Sequence, residues 1–309
     1  MLIVICGLVA LQFLLFFQPS SGNAQADVTC TGIGTPLQTA IDAANPGDTI
    51  TVTGPCNENV VIGPGKIGLT LEGINPATID GLLDTSPTIA SLGREITITG
   101  FTITGGQDGI LVYRGGTATI DGNTIQNTAR FGINVAENSN ANIINNIIQT
   151  NPGGGISVYD NSSARIGVLL LSDTVARFNT IQGNGGSGIF VARSSTAMIV
   201  GNTIKDNAED GVRVVRSSQA DISDNIINGN ALNGILVSQN SGVNLGNDSG
   251  PTIFDFPNAT TVVNGMYGIN ASLGAYVDGR RYTLRGEKKN PANGLSILFT
   301  SGSINSTKL

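Results

Sequence analysis

A glycine returns every 23 residues through the middle of this chain. Gly109, Gly132 and Gly155 each precede a short apolar run: Ile110-Leu111-Val112, Ile133-Asn134-Val135 and Ile156-Ser157-Val158. Gly188, Gly211 and Gly234 do the same, and Gly268-Ile269 is a weaker last member. The intervals are 23, 23, 33, 23, 23 and 34 residues, so the two long ones carry insertions of 10 and 11 residues. A fixed period of this size predicts a solenoid.

Within a unit, apolar and polar residues alternate, which is strand periodicity. After Gly188, Ile189 and Val191 point one way and Phe190 and Ala192 the other. Ala197-Met198-Ile199 follows, then Gly201 and Asn202-Thr203-Ile204. Each unit therefore predicts three short strands and three bends. The third strands open at Asn123, Asn146, Asn179, Asn202 and Asn225. In a parallel coil this column repeats every ~4.8 Å, and stacked amides form a ladder. Asn151, Asn184, Asn207, Asn230 and Asn264 stand four residues before each glycine and read as turn formers.

The phrase from Gly201 to Val214, GNTIKDNAEDGVRV, resembles the generic repeat of right-handed parallel β-helix proteins, the architecture of pectate lyases and polygalacturonases. The resemblance covers roughly residues 35–280. It implies an all-β, right-handed parallel β-helix with about 23 residues per turn, and it leaves activity open because fold does not fix function.

Histidine and tryptophan are absent and 12% of residues are charged, a composition suited to narrow stacked turns. The net charge of −6 gives no warrant for nucleic-acid binding. Residues 1–26 read as a signal peptide, apolar from Leu2 to Phe17 and ending at Ala24-Gln25-Ala26. A retained membrane anchor is the alternative. Export places the mature chain in a secreted, periplasmic or extracellular setting, with no membrane contact after cleavage. In that setting Cys30 and Cys56 read as a disulfide; a two-Cys metal site is the rival.

Residues 27–105 form a cap and irregular first turns, 106–279 the regular turns and 280–309 a tail rich in Arg and Lys. That tail reads as solvated, with an anionic-ligand contact as the alternative. Thr35-Pro36-Leu37-Gln38 predicts a capping box opening a helix, with Leu37, Ala40, Ile41 and Ala44 on one face. Such a helix covers the open end that a solenoid must close.

The β-helix enzymes that the chain resembles hold substrate along the strand that here begins Gly-Ile. The outward side chains on and beyond it therefore predict a glycan-contact face: Tyr113, Asn134, Tyr159, Arg193, Arg213 and Arg216. Arg114 over Glu137 and Asp160 over Arg193 predict cross-strand ion pairs. Glu209, Asp210 and Arg213 are the most enzyme-like group. In pectate lyases carboxylates bind calcium and an Arg takes the proton beside a uronate carboxylate, so the resemblance implies those roles and a Ca2+ cofactor if the chain is a lyase. Calcium prefers six to eight oxygens, however, and neighbouring turns offer no further acid at this position. The Asp-and-His pattern of polygalacturonases and the Asp-Pro-His-Asp motif of the epimerases are absent. The leading expectation is a secreted, non-catalytic, cofactor-free β-helix that contacts a polysaccharide or cell-surface glycan, or has a structural role in the envelope. A polysaccharide lyase is the alternative.

Overall fold

The apolar residues of successive repeats pair in register. Ile110, Ile133, Ile156, Ile189, Val212, Ile235 and Ile269 form one column of parallel partners. A computed structural model describes residues 24–246, 253–254, 256–279, 284, 286–288, 297–299 and 302–304. First strands make a ten-stranded sheet, one strand per turn, and second and third strands an eighteen-stranded network. All strand pairings among the described residues are parallel, as of Asn140–Ile144 on Thr117–Asp121 and of Thr203–Lys205 on Thr180–Gln182.

The inward residues build one continuous core from Val28 to Leu284. The repeat glycines border it. A Cβ on Gly211 would stand 2.6 Å from the γ2 carbon of Ile227 and 2.7 Å from the carbonyl oxygen of Gly234. Gly132, Gly155 and Gly188 meet equivalent neighbours. The 23-residue beat therefore records a corner with no room for a side chain.

The Asn column is a ladder. The backbone N–H of Asn123 donates to Oδ1 of Asn146, and the pattern repeats through Asn179, Asn202 and Asn225 to Asn258, at 2.9–3.1 Å. Each Nδ2 also donates to strand carbonyls, as Asn202 does to Ile166 at 2.9 Å. Asn151, Asn184, Asn207, Asn230 and Asn264 form a second ladder. A third, of Ser139, Ser162, Ser195, Ser218 and Ser241, joins backbone N–H to the next hydroxyl. Sequence periodicity had not singled out the serines.

Two early turns depart from the three-strand pattern. Thr49–Asn57 and Thr70–Gly81 are single long strands, with a register shift between Val52 and Gly54. The helix spans Pro36–Ala43 and buries Leu37 and Ile41 against the end of the core. Its capping box is not formed, a correction to the sequence reading. Thr35 makes no side-chain cap. Glu58 accepts from the N–H groups of Leu37 and Gln38, each at 3.0 Å, so both exposed donors are met from across the chain. Freed from the box, Gln38 pairs with both backbone groups of Val61 and covers the edge of the first turn.

Cys30 and Cys56 are disulfide-bonded, with Cα atoms 4.9 Å apart and a sequence separation of 26. Closing that loop stabilises by ~3.5 kcal/mol in the chain-entropy model. Glu58 lies beside the two sulfurs, but the sulfurs are bonded to each other and Glu58 serves the helix, which removes the metal rival. The insertions follow Ile166 and Leu245, between second and third strands as expected. Val168 and Ile253 of these two insertions pack with Val200 into a small apolar cluster outside the coil.

The expected signal or anchor segment lies outside the described residues up to residue 23; Gln25 and Ala26 belong to the first strand, Gln25–Thr29. Among the described residues no helix is long and apolar enough to cross a membrane. Of the basic tail, Arg280, Arg281, Arg285 and Lys289 also lie outside them. Ile297–Phe299 and Gly302–Ile304 pair onto the last regular turn and add strands to both sheets.

Asn202 is fully buried. Asn202→Leu should lower stability by ~1–3 kcal/mol, because it strands bend donors and acceptors; denaturant unfolding gives the value. Gly211→Ala should cost a similar ~1–3 kcal/mol through overpacking, whereas Gly115→Ala, with nothing within 4 Å of its Cβ, loses only what its left-handed φ of 75° imposes.

Candidate functional site

The face beyond the first strands holds most of the expected contact residues, but their charges are largely spent on one another. Arg114 lies 3.6 Å from Glu137 and Arg193 lies 3.0 Å from Asp160, the cross-strand pairs read from sequence. The same guanidiniums lie over the rings of Tyr113 and Tyr159, at 5.2 and 5.7 Å from the centroids. Both tyrosines are half-buried. Arg114, Glu137, Asp160, Arg193 and Arg216 all adopt left-handed backbone, φ 53–57°, which turns this column away at the corner. Arg216 is exposed and forms no ion pair among the described residues.

Asn134 is a correction. It points outward from its strand but is fully buried, and its Nδ2 donates to Oδ2 of Asp108 at 3.0 Å. Asp108, on the preceding bend, also accepts from Arg130 at 2.9 and 2.5 Å and from the backbone of Phe131 at 3.1 Å. The forked pair holds Arg130 beside the Phe131 ring, 5.2 Å from its centroid. The signal that marks Asp108 is positional: Asp108 and Asp210 both precede a repeat glycine, and both are buried.

Glu209, Asp210 and Arg213 do come together. Arg213 Nη1 lies 3.5 Å from Glu209 Oε2 and 3.9 Å from Asp210 Oδ2. Ser187 donates to Glu209 at 3.0 Å, and Asn233 gives two donors to Asp210 Oδ1, at 3.0 and 2.7 Å. Asp210 Oδ2 and Arg213 Nε are buried with no hydrogen bond. This donor set does not fit calcium: one carboxylate is fully buried, and a guanidinium faces both.

A concavity lies elsewhere, over the outward face of the second strands. It is an open groove of about 720 Å³ running from Glu95 to Asp221. Six successive strands contribute to it, so its length is ~24 Å at the usual strand spacing. One column on its floor is Thr97, Thr119, Asn142, Arg165, Met198 and Asp221, in register turn by turn. Thr97, Thr119 and Asn142 are half-exposed. None of these three side chains has a hydrogen bond within the described chain. Arg165 is held by the first insertion, donating to the Leu169 carbonyl at 3.0 Å. Met198 packs against the cluster of Val168, Val200 and Ile253, so the insertions brace one side. Beyond Asp221 a shallower depression of about 200 Å³ continues to Asn244 and Tyr276. The sequence carried a sign of this floor in Thr-Ala-Thr, Asn-Ala-Asn and Ser-Ala-Arg at the second strands, polar residues on either side of an inward alanine.

A solenoid of parallel strands stacked turn on turn defines a β-helix. The chain belongs to the family described as right handed beta helix region, whose matches at residues 56–175, 89–249 and 166–279 together cover more than half of it. It is similar in fold to the alginate lyase of Paenibacillus sp. str. FPU-7, with 18% identity, a TM-score of 0.55, and coverage of 91% of this chain and 99% of that one. It is likewise similar to pectate lyase Pel9A, with 14% identity, a TM-score of 0.55, and coverage of 92% and 78%. At these identities the likeness shows the fold. No curated protein matches the chain by sequence.

Burial pushes the Asp210 carboxyl above its ordinary value of 3.8, against the opposing pull of the Asn233 donors and Arg213. The folded chain thus holds this proton more tightly than the unfolded one. Stability from the neutral acid is complete below about 3.8 and declines as pH rises through the raised folded value. Asp210→Asn should therefore melt higher than wild type at pH 7, with the difference shrinking toward pH 3. Melting curves across that range check it; a deficit constant with pH would contradict it.

Proposed function

We propose that the protein is an exported, non-catalytic β-helix that holds an extended polysaccharide along the groove of its second strands. The observation behind this reading is the row of unbonded Thr97, Thr119 and Asn142 side chains on an open floor. A hydrogen-bonding group that is half-exposed and unpaired is free for a ligand, while Tyr113, Tyr159, Arg193 and Arg213 already serve internal contacts. A groove that follows the coil axis suits a linear polymer better than a small compact ligand. Export agrees with the disulfide, which persists in oxidising compartments.

The glycan-contact face of Tyr113, Tyr159 and Arg216 is the competing surface for the same function. A lyase reading has one specific observation in its favour, the buried Asp210 carboxyl beside Arg213.

Affinity electrophoresis of residues 27–309 in gels cast with neutral, amino and uronate polysaccharides separates these readings. Thr119→Ala with Asn142→Ala should weaken retention ~5–30-fold, at about 1 kcal/mol for each lost hydrogen bond. Tyr113→Ala with Tyr159→Ala should leave it within twofold. The reverse pattern assigns the contact to the first-strand face. Absorbance from an unsaturated uronate, lost in Arg213→Ala, makes the protein a lyase. Retention in no gel removes the glycan reading.

A further inference from the structure

The groove also carries information about the charge of its ligand. Its lining contains Glu95, Arg165 and Asp221 as the charged groups. Two carboxylates thus face one guanidinium. That guanidinium is drawn toward the first insertion, where Nη1 donates to Leu169 and Asp173 lies within its field. Asp221 is exposed and has neither an ion pair nor a side-chain hydrogen bond among the described residues. Past it in the same column come Asn244 and then Asp278, so Asp221 and Asp278 are ~10 Å apart with an amide between them.

An aromatic ring stands at the same place. Tyr276 is 42% exposed, lines the shallow end of the groove, and donates its hydroxyl to Asp278 at 3.1 Å. In its column the preceding turn has Gly242, which has no side chain. The groove therefore ends in an apolar ring face flanked by two carboxylates. A sugar ring stacks on such a face, and a protonated amine on that sugar makes charge-assisted hydrogen bonds to the acids. A uronate would meet repulsion at both ends of the groove, from Glu95 at one and from Asp221 and Asp278 at the other.

Building on the groove reading above, we propose that its ligand is an amine-bearing polysaccharide, with one amino sugar seated at Tyr276 between Asp221 and Asp278. The polyuronates are excluded by the same charges.

The test uses calorimetry of residues 27–309 at low salt with three probes: a β-1,4-glucosamine hexamer, its fully N-acetylated counterpart and a galacturonate hexamer. The glucosamine hexamer should bind at least ~10-fold more tightly than the acetylated one, and the galacturonate should give no signal. Asp221→Asn should reduce glucosamine binding ~5-fold or more and leave the acetylated hexamer within twofold. Tyr276→Ala should weaken both, as loss of a stacking surface requires. Equal binding of the amine and acetyl forms, or binding of the galacturonate, overturns the proposal. If neutral glucans are retained in a Thr119- and Asn142-dependent way while the glucosamine hexamer is not bound, the charge inference falls and the groove reading stands. If no probe or glucan depends on groove residues, both fall.

Discussion

Every bend of this coil turns a backbone N–H along the axis, into a space already filled by the next turn. Water does not reach it, and an unmet buried donor costs ~1–3 kcal/mol. The side-chain amides of the next turn meet it instead, with Asn146 serving Asn123, Asn179 serving Asn146, and so on to Asn258. The ladder is directional and continuous. It fixes register between turns, since a slip of one residue would put residues such as Thr124, Thr180 and Thr203 where the amide oxygen is needed. Ser162, Ser195 and Ser218 do the same at another corner with a shorter reach. Packing of Ile and Val fills the interior, but apolar contact alone is tolerant of register; the polar bends are not.

That constraint decides where the chain is free to vary. Inward positions are held by the core, and two corners by Asn and one by Ser. The insertions enter just before the Asn column, after Ile166 and Leu245, and the chain returns from each to place Asn179 and Asn258 on the ladder. Outward positions carry no such duty, and there the residue types change from turn to turn: Thr119, Asn142, Arg165, Met198, Asp221. Variation in a column whose neighbours are fixed is where a solenoid acquires a particular ligand.

The scaffold was legible in the sequence because each of its rules repeats. Gly109 through Gly234 and Asn123 through Asn225 each recur at the fold's own period, and a steric or hydrogen-bonding demand that recurs leaves a column. Single contacts between distant segments leave none. Glu58 caps a helix that begins 22 residues earlier in the chain, at Pro36, so the local pattern at Thr35 pointed to the wrong acceptor. Asn134 sits in an outward column, yet Asp108 and Arg130 from the bends close over it; alternation tells direction, not cover. The groove was missed for a related reason. The groove's side is built by insertions braced against Met198, which no single repeat contains.

The two long faces of the coil differ in how their polar groups are committed. On the first-strand side, Arg and acid alternate, so that Glu137 neutralises Arg114 and Asp160 neutralises Arg193, and the same guanidiniums occupy the rings beside them. A ligand there must displace contacts that already stabilise the fold. On the second-strand side the Ser163 hydroxyl does reach the Asn140 amide one turn away, but Thr97, Thr119 and Asn142 in the neighbouring column make no side-chain hydrogen bond within the described residues. What separates the columns is pairing in register. Where residues of complementary chemistry stack on successive turns, as Arg114 on Glu137 and Asp160 on Arg193, they satisfy one another and brace the surface; where Thr119 stacks on Asn142 without a bond between them, their hydrogen-bonding capacity stays open along the groove.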